Sequence, residues 1–265
     1  MIWRTDDPVR LEIDGVSLEA ACWGPPPSDA PTLVLLHEGL GCLGLWRDFP
    51  SELSARTGWG VFAYSRRGYG QSDPTPSPRP LNFMTREALE VLPQVLNQVG
   101  AQNTLLLGHS DGASIAAIYA GETEDRRLCG LGLLAPHFFT EPVGLASIRA
   151  ARQAFKHTDL PARMARHHQD ATQTFYGWND VWLHPDFATW NIENCLTKIT
   201  VPVLALQGRD DQYGSLAQID ALSQNLPPAT TLKQVILDDC RHAPQLEQPL
   251  RTLEEIVKFT VSLAL

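Results

Sequence analysis

Short apolar runs alternate with helical patterns along most of this chain. Several of the runs are continuous, which is typical of strands that are covered on both faces of a parallel sheet. The predicted strands are residues 10–22, Thr32–Leu36, Val61–Tyr64, Thr104–Leu107, Leu131–Leu134, Val203–Leu206 and Leu232–Leu237. Helical patterns lie between them, at residues 46–57, 85–99, 111–121, 215–226 and 249–264. This alternation predicts an α/β fold with a mostly parallel central sheet and helices on both faces.

Two segments depart from this alternation of strand and helix patterns. Pro93 falls inside a helical pattern, so we expect a kink or a later helix start there. Residues 137–197 contain no clear strand pattern but carry short amphipathic pieces rich in Phe, Tyr and Trp. We therefore predict a core made of residues 1–136 and 198–265 and a helical cap over residues 137–197. Most cap aromatics are expected to pack the cap onto the core, and Trp178 and Trp182 are candidates for lining a substrate pocket.

Composition narrows the classes of protein that fit. The chain has 265 residues, 43% of them hydrophobic, which is enough for a sizeable core. Its net charge of −9 is scattered along the sequence, which argues against nucleic acid or an anionic membrane as a partner. We see no signal-peptide pattern and no membrane-spanning run. The five cysteines lack CxxC spacing, so we expect reduced thiols in a cytoplasmic protein.

One segment carries the strongest chemical signal. Residues 108–112 are Gly-His-Ser-Asp-Gly, after a predicted strand and before a run of small residues suited to a helix. A strand-to-helix turn this tight needs glycines, and it exposes the hydroxyl of Ser110 at the end of the sheet. The positive end of the following helix would face a site where negative charge develops.

A serine nucleophile needs a base, and the base needs an orienting carboxylate. The predicted strand at 203–206 is followed by Asp210 and Asp211, and the strand at 232–237 by His242. Both positions lie just beyond carboxyl ends of strands, where open α/β sheets bind their ligands. The order Ser, Asp, His is the one associated with this kind of turn.

With these motifs, the chain resembles the α/β-hydrolase superfamily over nearly its whole length. Residues 64–73 resemble the family's D-x-R-G-x-G-x-S loop, with Ser65 in place of the usual acid. Residues 36–41 resemble its H-G-x-x-G oxyanion loop, with Glu38 where glycine is usual. The family pattern G-x-x-D selects Asp211 over Asp210, and the family histidine in G-H corresponds to His242.

The resemblance implies a role for each of these positions. Ser110 would be the nucleophile, His242 the base and Asp211 its orienting acid. The backbone N–H groups of Gly39 and Asp111 would form the oxyanion hole. The chemistry implied requires no cofactor, and we expect no metal site.

Other polar residues carry further expectations. Glu38 would oppose an oxyanion if it pointed inward, so we expect it to turn away and pair with an arginine or with backbone donors. Its place beside the predicted oxyanion hole also makes Glu38 a possible substrate-binding residue. Asp111 has two open roles, as a favourable charge at a helix start or as a site for a substrate cation. A related hydrolase group that acts on esters of amino acids resembles this chain in having G-x-S-D-G. The remaining histidines, including His167 and His168, are expected to be solvated helix residues.

The function predicted from these residues is a serine hydrolase that cleaves a small carboxylic ester through an acyl-enzyme. Thioester, lactone, amide and carbon–carbon bond cleavage remain open alternatives within the same superfamily. Haloalkane dehalogenases and epoxide hydrolases are disfavoured, because those lineages have an aspartate where Ser110 stands. A small-molecule receptor on the same fold is the alternative from another class. The sequence leaves a monomer or a homodimer open.

Overall fold

The computed structural model describes residues 3–5 and 8–263 and is built around one eight-stranded sheet. The strands are β1 (Pro8–Ile13), β2 (Val16–Trp23), β3 (Thr32–Leu36), β4 (Gly60–Tyr64), β5 (Thr104–His109), β6 (Leu128–Leu134), β7 (Val203–Gly208) and β8 (Leu232–Leu237). Their order across the sheet is β1-β2-β4-β3-β5-β6-β7-β8. β1 and β2 pair in antiparallel fashion, β2 pairs antiparallel with β4, and the remaining pairs are parallel. The predicted fold class, a mostly parallel α/β sheet, is confirmed.

Helices connect the parallel strands. They are α1 (Phe49–Thr57), α2 (Phe83–Arg86), α3 (Leu92–Val99), α4 (Asp111–Glu122), α5 (Pro142–His157), α6 (Leu160–Met164), α7 (Ala171–Trp182), α8 (Glu193–Leu196), α9 (Ala217–Asn225), α10 (Pro244–Glu247) and α11 (Pro249–Ser262). Short 3₁₀ helices span Leu43–Trp46 and Pro185–Phe187, and a π-helical segment at Glu87–Val91 joins α2 to α3.

The sheet is covered on both faces, which explains the continuous apolar runs. Every residue of β3, β4, β5 and β7 is buried. Successive side chains of a strand point to opposite faces, and accordingly Leu106 belongs to one buried cluster while Leu105 and Leu107 belong to the other. The cluster containing Leu106 includes the small residues of α4, and the other includes residues of α1 and α11.

Two details of the predicted elements need correction. The single strand predicted for residues 10–22 is a hairpin of β1 and β2, with Asp14 and Gly15 at its turn. Both turn residues have positive φ, 51° and 75°, as a tight hairpin turn requires. The irregularity expected at Pro93 takes the form of the π-helical segment, after which Pro93 lies in the first turn of α3. A missing N–H is least costly in the first turn of a helix.

The segment predicted as a cap lies between β6 and β7 and contains α5 to α8. Many of its aromatic rings pack against each other, as in the stacked pair Phe155 and Phe175 with centroids 4.0 Å apart. The division of the chain into core and cap stays a prediction. In the described residues no helix has both the length and the apolar character needed to cross a bilayer. All five cysteines are free, and burial raises the pKa of the Cys42 thiol to about 12.

Helix α4 approaches the sheet very closely at its first turn. A Cβ atom added at Gly112 would lie 2.0 Å from the carbonyl oxygen of Leu36, at the end of β3. A Cβ atom at Gly108 would lie 2.2 Å from the carbonyl oxygen of Gly112. Because both contacts are to backbone atoms, side chains at these positions would force α4 away from the sheet.

We expect Gly112→Ala to destabilise the protein, because the new methyl group overlaps backbone that cannot rotate away. Overpacking of this kind costs about 1–3 kcal/mol or more, which corresponds to a fall in Tm of roughly 2–12 °C for a chain of this size. Gly44→Ala is the matched control, since its Cβ would meet nothing closer than His167 Nδ1 at 3.9 Å. Thermal denaturation of both variants checks this, and equal melting temperatures would contradict it.

Candidate active site

Ser110 lies at the turn between β5 and α4, where the sheet meets the helix. Its φ of 53° and ψ of −118° are strained for a residue with a side chain. The hydrogen bond from its N–H to Leu134 O, 2.9 Å long, ties the turn to the end of β6. A strained serine at the start of a buried helix fits the nucleophile turn that the sequence predicts.

The three residues predicted as a triad meet through hydrogen bonds. His242 Nε2 lies 3.0 Å from Ser110 Oγ. Its Nδ1 lies 2.8 Å from Asp211 Oδ2 and 2.9 Å from Oδ1. An ionised carboxylate can only accept, so Nδ1 carries the proton and Nε2 is left to accept the serine proton. Asp210, the rejected neighbour, is exposed on the turn after β7.

The carboxylate of Asp211 is held by donors other than His242. Gln207 Nε2 donates to Oδ2 at 2.7 Å, and the backbone N–H of Tyr213 donates to Oδ1 at 2.8 Å. Burial opposes ionisation, but the hydrogen bond and charge of His242 outweigh it and lower the pKa of Asp211. Asp211 therefore stays ionised and fixes the orientation of the imidazole.

The two predicted oxyanion donors flank Ser110. Both Gly39 and Asp111 line the same cavity as the serine. Their backbone N–H groups donate to no acceptor in the part of the chain that the structure describes. Asp111 is the first residue of α4, where an N–H has no partner within the helix. A Cβ atom at Gly39 would lie 2.2 Å from Trp178 Nε1, so a side chain at this position would have to displace the buried indole ring.

A cavity of about 100 Å³ opens onto Ser110 and His242. Three carboxylates lie in its wall, and neither lysine nor arginine is among the residues that line it. The rest of the wall is largely apolar and includes both predicted tryptophans. The lining residues are Glu38, Gly39, Leu40, Ser110, Asp111, His137, Phe139, Glu141, Gly144, Leu145, Ile148, Trp178, Trp182, Tyr213 and His242.

Asp111 stands out among the three carboxylates because it is almost completely buried, with 1% of its surface exposed. Trp182 Nε1 donates to its Oδ1 at 3.2 Å, while Oδ2 has no hydrogen-bond partner among the described residues. Burial raises the pKa of Asp111, against the opposing charges of Arg66 and Arg79. A buried carboxylate oxygen without a partner is costly, which makes this atom a candidate contact for a bound cation.

Among the described residues, Glu38 forms its ion-pair contact with a histidine and not with an arginine, and it lines the cavity instead of turning away from it; both findings correct the expectation from the sequence. Glu38 Oε2 lies 3.5 Å from His109 Nδ1, which is an ion pair only when His109 is protonated, because Nδ1 of the neutral ring accepts from Gln245 Nε2 at 2.9 Å. Burial opposes the effect, but His109 lowers the pKa of Glu38, and Glu38 in turn raises the pKa of His109. His109 Nε2 donates to the backbone carbonyl of His242 at 2.7 Å. His109 thus connects the carboxylate of Glu38 to the loop that carries His242.

The prediction that the remaining histidines are solvated helix residues is wrong for four of them. His37, His109, His137 and His168 are buried, and His168 lies outside any helix. His168 accepts from the N–H of Gly70 at 3.0 Å and donates to the carbonyl of Leu40 at 3.1 Å. Their burial depends on partners distant in sequence, which a local pattern cannot reveal.

Sequence reasoning also missed His137 as part of the cavity wall. Its ring centroid lies 5.5 Å from that of His242, and burial lowers its pKa to about 3. His137 is therefore neutral near neutral pH and adds no positive charge beside the base. Its position directly after β6, at a strand end, was the only available signal.

The arrangement provides a hydroxyl next to an oriented imidazole, two free N–H donors and a small cavity. These groups suit attack of the serine on an acyl carbon and stabilisation of the resulting oxyanion. No cluster of three or more potential metal ligands occurs in residues 3–5 and 8–263.

Comparison with known proteins identifies the family. Residues 33–255 match the model of the alpha/beta hydrolase family, and the chain belongs to that family. Epoxide hydrolase B of Mycobacterium tuberculosis is 28% identical over 137 residues. That match covers 51% of this chain and 37% of epoxide hydrolase B. The family and these neighbours support a hydrolase.

Solved structures share the fold at low sequence identity. Proline iminopeptidase of Mycobacterium smegmatis superposes with a TM-score of 0.76 at 16% identity, covering 97% of this chain and 98% of that one. The esterase RhEst1 of Rhodococcus sp. ECU1013 gives 0.73 at 19% identity, covering 97% and 98%. The esterase EaEST of Exiguobacterium antarcticum gives 0.73 at 18%, covering 96% and 99%. These similarities establish the architecture of the sheet and its helices.

The hydrogen bonds of Asp211 to His242 lead to a test of its predicted role as the orienting acid. Asp211→Asn should lower kcat on an activated ester by roughly 10³–10⁴-fold, because an amide can hold the wrong imidazole tautomer and does not stabilise the imidazolium. Asp210→Asn, one residue away and exposed, should change kcat by less than about threefold. Steady-state kinetics of the two variants decide the matter, and a larger loss in Asp210→Asn would transfer the role to Asp210.

Proposed function

We propose that this protein is a serine hydrolase that cleaves a small carboxylic ester through a covalent acyl-enzyme. The observation that carries the proposal is the chain of hydrogen bonds from Ser110 Oγ through His242 to Asp211. A serine hydroxyl is a weak nucleophile unless a neighbouring base accepts its proton. Here the base lies within reach and is itself oriented by an ionised acid.

In the proposed mechanism, Ser110 Oγ attacks the ester carbonyl carbon while His242 Nε2 accepts the hydroxyl proton. The carbonyl oxygen becomes an oxyanion that accepts hydrogen bonds from the N–H groups of Gly39 and Asp111. Collapse of this intermediate expels the alcohol, which takes the proton from His242. Water then attacks the acyl-enzyme with His242 again acting as the base, and the acid product leaves.

The presence of serine at position 110 separates this proposal from the activity named in the epoxide hydrolase relative. The family resemblance implies an aspartate at the corresponding position of epoxide hydrolases, whereas this chain has Ser110. The proposal also differs from a receptor function, because a hydrolase releases product and completes many cycles. Repeated turnover is therefore the discriminating measurement.

The cavity supports a small substrate that carries a positive charge. About 100 Å³ is well below the roughly 300–1,000 Å³ of pockets for drug-sized ligands. Its wall holds Glu38, Asp111 and Glu141. The oxygens of Glu141 already accept from Ser215 and Gln218. The unpartnered Oδ2 of Asp111 is thus the carboxylate oxygen best suited to receive an ammonium group.

Replacement of the nucleophile tests the proposed reaction. Ser110→Ala should lower kcat on p-nitrophenyl acetate by several orders of magnitude, because only binding and the oxyanion hole would remain. The melting temperature should change little, since only the hydroxyl is lost. Wild type should release far more than one equivalent of p-nitrophenol per chain. A variant with more than about a tenth of the wild-type rate, or a wild type that stops after one equivalent, would contradict the proposal.

Neutralising Asp111 tests the charge of the substrate. Asp111→Asn should lower kcat/KM by about tenfold to a hundredfold for a small ester with a primary ammonium group, because a partly desolvated charge pair is lost. A neutral analogue with a methyl group in its place should react at the same rate or slightly faster. The wild-type preference for the cationic ester should fade with acidification, starting at a higher pH than for an ordinary aspartate, because the pKa of Asp111 is raised.

Glu141→Gln is the matched control, because Glu141 lines the same cavity but its oxygens have donors already. It should reduce the preference for the cationic ester much less than Asp111→Asn. Equal losses on charged and neutral esters in Asp111→Asn would assign Asp111 a structural role at the start of α4 instead.

A further inference from the structure

We infer that Arg66 is a positioning residue for the oxyanion hole, acting through the peptide bond between Glu38 and Gly39; this inference rests on the proposed function. The sequence motif around residue 66 predicted only a loop. The structure puts the Arg66 side chain against the backbone of the segment that supplies the Gly39 N–H.

The contacts of Arg66 are directed at two consecutive carbonyls. Its Nη1 donates to the carbonyl oxygen of His37, and its Nη2 donates to that of Glu38 at 3.0 Å. The guanidinium is almost fully buried, with 3% of the residue exposed, and lies 5.0 Å from the ring centroid of Tyr69. A buried, charge-assisted pair of hydrogen bonds fixes the orientation of a peptide more firmly than a neutral one.

The imidazole of His37 completes this support. The backbone N–H of Arg66 donates to His37 Nε2 at 3.0 Å, so the remaining proton of the neutral ring lies on Nδ1. Nδ1 lies 2.7 Å from the carbonyl oxygen of Glu38 and donates to it. Burial and the charge of Arg66 hold the pKa of His37 well below its usual range, which keeps the ring neutral. The Glu38 carbonyl therefore accepts hydrogen bonds from both Arg66 and His37, in addition to one from the backbone N–H of Gly41 at 3.1 Å.

The planarity of the peptide bond transmits these contacts to the site. The bond between Glu38 and Gly39 is trans, so its N–H is antiparallel to the carbonyl that Arg66 and His37 hold. Fixing the carbonyl of Glu38 fixes the direction of the Gly39 N–H. Hydrogen bonds to the carbonyl oxygen, one from a cation, also draw electron density from the amide nitrogen and strengthen its N–H as a donor.

The positive charge of Arg66 also offsets the negative charges of the cavity wall. The carboxylates of Glu38 and Asp111 lie near the position where the oxyanion would form, and they oppose negative charge there. The positive charge of Arg66 favours the ionised form of both groups: it adds to the lowering of the pKa of Glu38 by His109, and it opposes the larger rise that burial causes in the pKa of Asp111. Arg66 is thus a buried cation on the far side of the peptide that supplies one oxyanion donor.

The first arm of the test is kinetic, with a neutral p-nitrophenyl ester. Arg66→Met should lower kcat about tenfold to a hundredfold with KM within about threefold, which is less than the 10²–10³ lost when an oxyanion donor is removed outright. Affinity for a small alkyl boronic acid, whose adduct with serine is tetrahedral and anionic, should fall in parallel. Arg66→Lys keeps the charge without the paired contact and should lie between Arg66→Met and wild type.

Arg67→Met is the control, because Arg67 is the exposed neighbour in the same loop and donates only to the carbonyl of Pro74. It should retain wild-type kinetics. If Arg66→Met does not fold, Arg66→Lys carries the comparison. Loss of kcat together with an equal rise in KM, or boronate affinity that does not fall, would assign Arg66 a purely structural role.

The second arm observes the peptide itself. Glu38-Gly39 is the only Glu-Gly pair in the sequence, so labelling with carbonyl-¹³C glutamate and ¹⁵N glycine selects the Gly39 amide in an NMR spectrum. Boronate binding should move this amide proton downfield in wild type and in Arg67→Met, and less in the Arg66 variants. An equal shift in all of them would overturn the inference.

Labelling with a fluorophosphonate separates this inference from the proposed function. A wild-type protein whose Ser110 is not labelled overturns the proposed function itself. A wild type that is labelled, with Arg66 variants that keep its kinetics and its Gly39 shift, overturns only the role of Arg66.

Discussion

The contact of the first turn of α4 with the end of β3 is the constraint on which the site depends. Gly112 meets the Leu36 carbonyl where no Cβ could fit, and the loop after β3 therefore begins beside Ser110. The same approach brings an orphan N–H of α4 and the N–H of Gly39 to one cavity. If α4 stood farther from the sheet, as it would with side chains at these glycines, the serine and the loop could not contact one reacting group.

Acidic and basic side chains lie on different sides of the loop that follows β3. Among the described residues, the cavity wall contains three acidic residues and no lysine or arginine, although the proposed reaction develops negative charge there. The buried cation Arg66 lies behind the peptide of Gly39 and contacts it through the carbonyl of Glu38. The carboxylate of Glu38 lies 3.5 Å from His109. In the proposed reaction, negative side chains would select a cationic substrate while the backbone donors stay directed at the oxyanion.

The sequence alone was sufficient to predict the structural features that depend on local residue patterns. Continuous apolar runs identified the buried strands, and the glycines around Ser110 identified the turn, because sterics act within a few residues. The positions of Ser110, the aspartate pair and His242 at strand ends made them candidates, and the family resemblance selected Asp211 over Asp210. The burial of His168 and the pairing of Glu38 with His109 were missed, because each joins segments brought together only by the fold. The Asp14-Gly15 turn was a local signal that the single predicted strand overlooked.

The inserted segment between β6 and β7 contributes side chains to the cavity wall, whereas the residues proposed to carry out the reaction follow the ends of strands. Ser110, Asp211 and His242 follow strands of the sheet, whereas Trp178 and Trp182 come from α7. Trp182 holds one oxygen of Asp111 and leaves the other free. Trp178 closes over Gly39. Under the proposed function, substitutions in α7 would therefore change the size and charge of the accepted substrate, while the hydrogen bonds among Ser110, His242 and Asp211 would stay intact. Substrate selection and the proposed chemistry would then depend on different parts of this chain.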